Sequence, residues 1–175
     1  MFEYLGELLS AVMSLFPRLV IIRSTHAGVK FRHGKHILKL GPGITVYWPL
    51  VTEIEILPVK RQTKKLDPQY LTTQDGISVG IRGLVVYEVS CPVDLLTRCW
   101  DYDETIDDLA QAAIRDTVQG KEWEHLDDNL EEKLLWRLTA DLCGFGVNVV
   151  RVTVTDLVKV RPWAILGPPP WPQEP

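Results

Sequence analysis

From Ile77 onward, apolar and polar positions alternate over more than ten residues. Ile77, Val79, Ile81, Gly83, Val85 and Tyr87 share one parity, while Ser78, Gly80, Arg82, Leu84, Val86 and Glu88 share the other. Alternation of this length predicts a strand running on through Val89. Val51 to Lys60 alternates as well, with Val51, Glu53, Glu55 and Leu57 set against Thr52, Ile54, Ile56 and Pro58. Between the two runs lies Leu71-Thr72-Thr73-Gln74-Asp75-Gly76. Gly reaches positive φ without a Cβ penalty and Asp bonds its own downstream backbone, so Asp75-Gly76 predicts a turn that sets the register of the long strand.

The period changes elsewhere. Leu5, Leu8, Leu9, Val12, Met13 and Phe16 recur at three- and four-residue steps, opposite Glu3, Gly6, Glu7, Ser10 and Ser14. This is one apolar helical face. A helix of roughly 15 residues measures about 22 Å, short of the roughly 30 Å of a bilayer core. It is therefore expected to lie in an interface rather than span it, and Pro17-Arg18 breaks any continuation into Leu19-Val20-Ile21-Ile22. The face fits lipid, a partner protein or the domain's own core alike. Its polar side is acidic, so insertion would rest on apolar area alone. No basic stretch with a small-residue cleavage site marks a signal peptide.

Leu19–Arg23 predicts a short strand. Val29–Arg32, a turn at His33-Gly34-Lys35, Ile37–Leu40, a bend at Gly41-Pro42-Gly43 and Ile44–Trp48 predict a hairpin-rich segment. Lys60, Arg61, Lys64 and Lys65 read as a solvated connector, although contact with phospholipid head groups or an acidic neighbour would also suit them. Pro92 is expected to end the long strand, with a helical turn at Leu95, Leu96, Cys99 and Trp100. Asp101 or Asp103 caps a helix with an inward stripe of Ile106, Leu109, Ala110, Ala113, Ile114 and Val118, stopped at Gly120. A second helix is predicted from Leu126–Asp128 to Leu142, with Leu130, Leu134, Leu135, Leu138 and Leu142 inward and Gly144 at its end. Val147–Leu157 returns to strand character, with Val150, Val152 and Val154 on one parity. The tail, with Pro168, Pro169, Pro170, Trp171 and Pro172, favours polyproline II and is either a loose end or a docking peptide.

Composition narrows the function. The chain has 175 residues, 46% of them hydrophobic, and a formal net charge of −4. One core, in one or two lobes, is the expectation. There is no basic footprint for nucleic acid. The three cysteines, Cys91, Cys99 and Cys143, lack zinc spacing and predict reduced thiols packed as small buried hydrophobes. Gly28 to Gly34-Lys35-His36 imitates a phosphate loop, but five residues separate the glycines and His replaces Ser/Thr. His33 and His36 have no acidic or third ligand in the nearby sequence, which disfavours a metal. Asp127, Asp128, Glu131 and Glu132 read as a carboxylate-rich helix start rather than as acid–base or metal chemistry. None of Ser10, Ser14, Ser24, Ser78 or Ser90 sits in a G-x-S-x-G setting. No catalytic, cofactor or metal site is expected.

The order of parts then carries a resemblance. Gly28-Val29 and Gly34-Lys35, the Gly41-Pro42-Gly43-Ile44 bend with Pro49, the Leu71–Gly76 turn, Val85-Val86-Tyr87-Glu88-Val89, Leu109 through Ile114-Arg115, and Gly146-Val147-Asn148-Val149-Val150-Arg151-Val152 together resemble the SPFH, or band 7, domain of stomatin, prohibitin and flotillin proteins. The similarity covers roughly residues 19–160, between an interfacial or docking helix at 1–18 and the Pro-rich tail at 161–175. It implies an α+β domain with a curved, mainly antiparallel sheet and packed helices. It also implies a non-enzymatic scaffold, peripheral on the cytoplasmic face of a membrane. Such a scaffold assembles side by side, organises lipid microdomains and regulates clients such as channels or membrane proteases. Relatives continue into a long coiled coil where this sequence turns Pro-rich, so a short form is expected. The alternative is a soluble module whose N-terminal helix and Pro168–Pro172 dock partner proteins. A palmitoyl chain on Cys91, Cys99 or Cys143 would add a second anchor in the membrane case.

Overall fold

The computed structural model describes residues 16–126 and 128–160. The predicted interfacial helix, apart from Phe16, and the Pro-rich tail lie outside them, as does Asp127. The chain divides into two compact units. Unit 1 draws on residues up to Arg61, with Glu88–Tyr102 and Phe145–Val147; unit 2 holds Gln62–Tyr87, Asp103–Gly144 and Asn148 onward. The fold is α+β, with antiparallel strand pairs and packed helices.

Unit 1 contains β1 (Arg18–Ile22), β2 (His26–Arg32), β3 (His36–Leu40), β4 (Gly43–Tyr47), β5 (Thr52–Pro58) and α1 (Pro92–Arg98). β1 pairs only with β4 among the described strands, and β3-β2-β5 form a separate three-stranded sheet. The Gly41-Pro42-Gly43 bend therefore does not close a hairpin; it hands the chain from one sheet to the other. The inner side of β1 meets β2 at Gly28, where an added Cβ would lie 2.7 Å from Ile22 Cδ1 and 3.3 Å from Leu40 Cβ. α1 packs against β2 and β3 through buried Leu95. Pro92 opens this helix, where its missing N–H costs nothing.

Unit 2 is built around β8 (Ser78–Val89). Val79, Ile81, Val85 and Tyr87 are buried, so the predicted inward parity of this strand is the observed one. β6 (Gln62–Lys65) and β7 (Gln69–Thr72) cover one edge of β8, and β9 (Val147–Lys159) pairs with β8 as well. The edges follow from backbone direction: Gly83 and Ile77 carbonyls accept from Leu66 and Thr73, whereas the Ser78 carbonyl accepts from Val160. α2 (Tyr102–Gln119) buries Ile106, Ala110, Ala113, Ile114 and Val118, and α3 (Leu130–Cys143) buries Leu130, Leu134, Leu138 and Leu142.

Several expectations change. The Asp75-Gly76 turn joins β8 to β7, a strand not predicted, and not to Thr52–Pro58, which pairs with β2. The basic segment expected as a connector forms β6 with Thr63↔Val86 and Lys64↔Val85 in register. α3 begins at Leu130 rather than at 126–128, because Asn129 adopts a left-handed φ of 53° that no helix continues through. Leu126 is buried ahead of it. Leu109 and Leu135 are only half-buried. In β9 the buried residues are Val147, Val149 and Val152, with Val150 and Val154 half-buried, so burial does not follow one parity along the strand. The cysteines are not core residues: Cys91 and Cys99 are half-buried and Cys143 is exposed, all three as free thiols.

Candidate docking surface

The apolar surface that folding leaves uncovered is concentrated in unit 1. Leu19 faces Val46 and Ile21 faces Ile44 across the β1–β4 pair. All four point away from the Ile22 side, with exposures of 71%, 56%, 70% and 71% in that order. Directly opposed residues on one face bring their Cβ atoms to about 5 Å, so the four aliphatic side chains form one flat patch. Trp48, Leu50 and Val51 follow β4 and are exposed too. Scattered exposed aliphatics are ordinary, but a contiguous set on one face marks an interaction surface. The sequence hides this face, because Leu19-Val20-Ile21-Ile22 is apolar on both parities and only pairing with β4 decides which side stays outside.

Of the predicted membrane-interface residues, Leu5, Leu8, Leu9, Val12 and Met13 lie outside the described residues, and Phe16 is exposed immediately before β1. Pro168, Pro169, Pro170, Trp171 and Pro172 also lie outside them. Gly41, Pro42 and Gly43 are exposed at the bend that delivers β4.

The predicted turn is built around Thr73 rather than its neighbour Thr72. Thr72 is exposed, while Thr73 is buried. The Thr73 hydroxyl donates to Asp75 Oδ1 and accepts from the Ile77 N–H at 3.2 Å. The Gly76 N–H donates to the Thr73 carbonyl at 3.0 Å, with Gly76 at φ 80° as the turn requires. The turn is also moored to the segment after α2. Gln74 N–H donates to the Lys121 carbonyl at 2.9 Å, and Trp123 N–H donates to Asp75 Oδ2 at 3.3 Å. Lys121 Nζ in turn donates to the Asp128 carbonyl at 2.8 Å.

The Thr73 hydroxyl, followed by the Trp123 amide, favours the ionised carboxyl and lowers the Asp75 pKa below its ordinary 3.8. A depressed carboxyl contributes stability that is complete above 3.8 and is lost as pH falls through the lower folded value. Comparing Asp75→Asn with the parent by denaturant melts from neutral to acid pH should give a gap that is constant above 3.8 and closes as pH falls through the lower folded value. A gap independent of pH would show that the carboxylate charge is not what the turn uses.

Elsewhere the surface offers shallow clefts. One in unit 2, of about 610 Å³, is lined by Glu131, Glu132, Leu135, Arg151 and Thr155 among others. Its Glu131 Oε1 is already engaged by the Val154 N–H at 2.9 Å. Among the described residues no three His, Cys, Asp or Glu side chains are placed to hold a metal ion, and no helix is long and apolar enough to cross a membrane.

Residues 20–159 match the SPFH domain / Band 7 family. A stomatin homologue of Pyrococcus horikoshii is 25% identical over 156 residues, covering 86% of this chain and 58% of that protein. Stomatin-3 of Caenorhabditis elegans is 23% identical, with 86% and 58% covered. An archaeal protein of Archaeoglobus fulgidus is 25% identical, with 88% and 63% covered. The chain thus spans about three-fifths of the length of these relatives.

Proposed function

The chain belongs to the SPFH domain / Band 7 family, and from that premise we propose that it is a non-enzymatic scaffold that lies on a membrane through the outer face of β1 and β4. Members of this family are generally membrane-associated scaffolds, and stomatin-like proteins are among the relatives. The observation that carries the reading is the Leu19, Ile21, Ile44 and Val46 patch. Full burial of an aliphatic side chain is worth about 1.5–3 kcal/mol, and a flat patch resting on lipid realises part of that for each residue. One copy would bind weakly and reversibly. Side-by-side assembly multiplies the attachment, since each further contact of a linked array forms at high effective concentration. The predicted helix ending at Phe16 would enter the same interface. Confinement of lipid microdomains, or control of a channel or membrane protease, follows from such an array by lateral contacts alone, with no chemistry.

Vesicle flotation of the intact chain tests the reading. Ile21→Asp combined with Ile44→Asp should reduce membrane partitioning about a hundredfold, because a buried apolar pair is exchanged for two charges. Both side chains are solvent-facing, so the melting temperature should stay within a few degrees. Equal flotation of parent and variant would remove this face from the membrane.

A further inference from the structure

The net charge of the chain is −4, yet residues 26–41 hold Lys30, Arg32, Lys35, Lys39 and three histidines without a single Asp or Glu. The fold gathers the outer part of this charge at one end of unit 1. β2 and β3 pair up to Arg32↔His36, where the chain reverses through His33 and Gly34, at φ 54° and 62°. Lys35 N–H closes that turn on the Arg32 carbonyl at 3.2 Å, and His33 N–H donates to the Val51 carbonyl at 2.9 Å. The second bond fixes the cationic tip beside the exposed loop of Trp48, Leu50 and Val51. Antiparallel pairing of Arg18 with Tyr47 brings the start of β1, with exposed Arg18 and Phe16, to the end from which that loop departs. The nearest acidic residue on β5 is Glu53, one position inside the terminal Arg32↔Thr52 pair. A cleft of about 570 Å³ opens between Arg32, His33, Lys35 and His36, floored by Ile37 and Leu38.

We infer that this end of unit 1 recognises the phosphates of anionic phospholipids, with Arg32, Lys35 and Arg18 on the head groups and Trp48 and Leu50 at the acyl boundary. The inference rests on the membrane reading above and adds to it a lipid preference and an orientation. Charge complementarity carries it: in an acidic chain, this cluster of cations lies where apolar side chains are exposed. Guanidinium groups take phosphate oxygens in pairs. Indole rings settle at head-group depth. An array held by the β1–β4 patch alone would be indifferent to lipid charge, whereas this end supplies a reason to choose the negatively charged leaflet.

Flotation of the intact chain on phosphatidylcholine vesicles with and without phosphatidylserine provides the test. The parent should partition at least about tenfold more strongly into the anionic vesicles, a preference that weakens as salt is raised. Arg32→Gln with Lys35→Gln should remove most of that preference while leaving binding to neutral vesicles intact. Lys65→Gln with Lys133→Gln, which lowers net charge by the same amount elsewhere, should keep it. A parent that floats equally with both vesicle types, or a control pair that loses as much as the hairpin pair, overturns the inference and leaves the β1–β4 reading standing. Flotation with neither vesicle type defeats the membrane reading itself. Inorganic phosphate at matched ionic strength should compete no better than chloride; selective competition would assign the cleft to a free phosphate and overturn the lipid assignment.

Discussion

Gly146→Ala should destabilise the protein by about 3 kcal/mol, lowering the melting temperature by about 6–12 °C for a chain of this size. Gly146 sits at φ 73°, and a Cβ there would come within 2.6 Å of the Cys91 carbonyl oxygen and 2.8 Å of Cys91 Cβ. The obstacle is backbone and cannot swing aside. Nor can the glycine move away, since Ser90 N–H and Cys91 N–H both donate to its carbonyl, at 2.9 and 3.0 Å. The left-handed conformation alone costs an L-residue about 1–2 kcal/mol, and forced displacement of packed backbone adds about as much again. Gly144→Ala is the matched control. That residue has φ −66° and ψ −20°, which alanine adopts freely, so its melting temperature should stay close to the parent's. Equal losses in the two variants would contradict the assigned backbone.

The second large effect is expected in α3. Leu138 is fully buried, and Leu138→Ala should cost about 2–5 kcal/mol through lost transfer energy and the cavity left behind. Leu135→Ala, three residues earlier, should cost about 1 kcal/mol, because the side chain is half-buried and lines the open cleft beside Glu131. Denaturant melts with an unchanged slope would measure both. Comparable losses would mean that the helix is rotated from the face described.

That contrast shows where sequence reasoning reaches and where it stops. Periodicity marks Leu130, Leu134, Leu138 and Leu142 as one stripe, and they are buried together. It cannot exclude Leu135, because a stripe wide enough to face a core admits both neighbours. Strict alternation in β8 identifies its inner face, since Ser78–Ile81 and Leu84–Tyr87 lie in regular pairing with β7 and β6. In β9 the parity of Val150, Val152 and Val154 contains the buried Val152, but Val147 and Val149 are buried on the other parity, so alternation alone gives no single inner face for the whole strand. Glycines carry the same lesson. Gly144 stands directly after an apolar stripe and reads as a helix stop, but the position whose backbone only glycine suits is Gly146, two residues on, fixed by contact with Cys91.

The candidate site was less legible than the fold. The pattern pointed to an amphipathic helix before residue 18, whereas the described structure adds a patch on β1 and β4 that only strand pairing defines. Four residues, Gln69 to Thr72, are too few to announce a strand after Asp67-Pro68, so the partner of the Asp75-Gly76 turn was not visible. Thr73 could have been found: in Thr-x-Asp-Gly the first hydroxyl is the group able to reach both the carboxylate and the backbone beyond the turn.

The two edges of β8 differ in how soon they can be covered. β6 and β7 precede it closely and can pair as soon as the strand exists, at a small loop-closure cost. The β9 edge has to wait while both long helices are made, since the Arg82 carbonyl finds the Thr155 hydroxyl 73 residues later. During synthesis, therefore, a twelve-residue strand presents one unsatisfied edge for a large part of the chain's emergence, several seconds at ordinary elongation rates. An open edge is a template for any neighbouring strand. For nascent copies made side by side on one message, the alternative to slow self-closure is capture of a neighbour's β9, so the rate at which β9 docks sets how cleanly each copy reaches its own fold before it meets another.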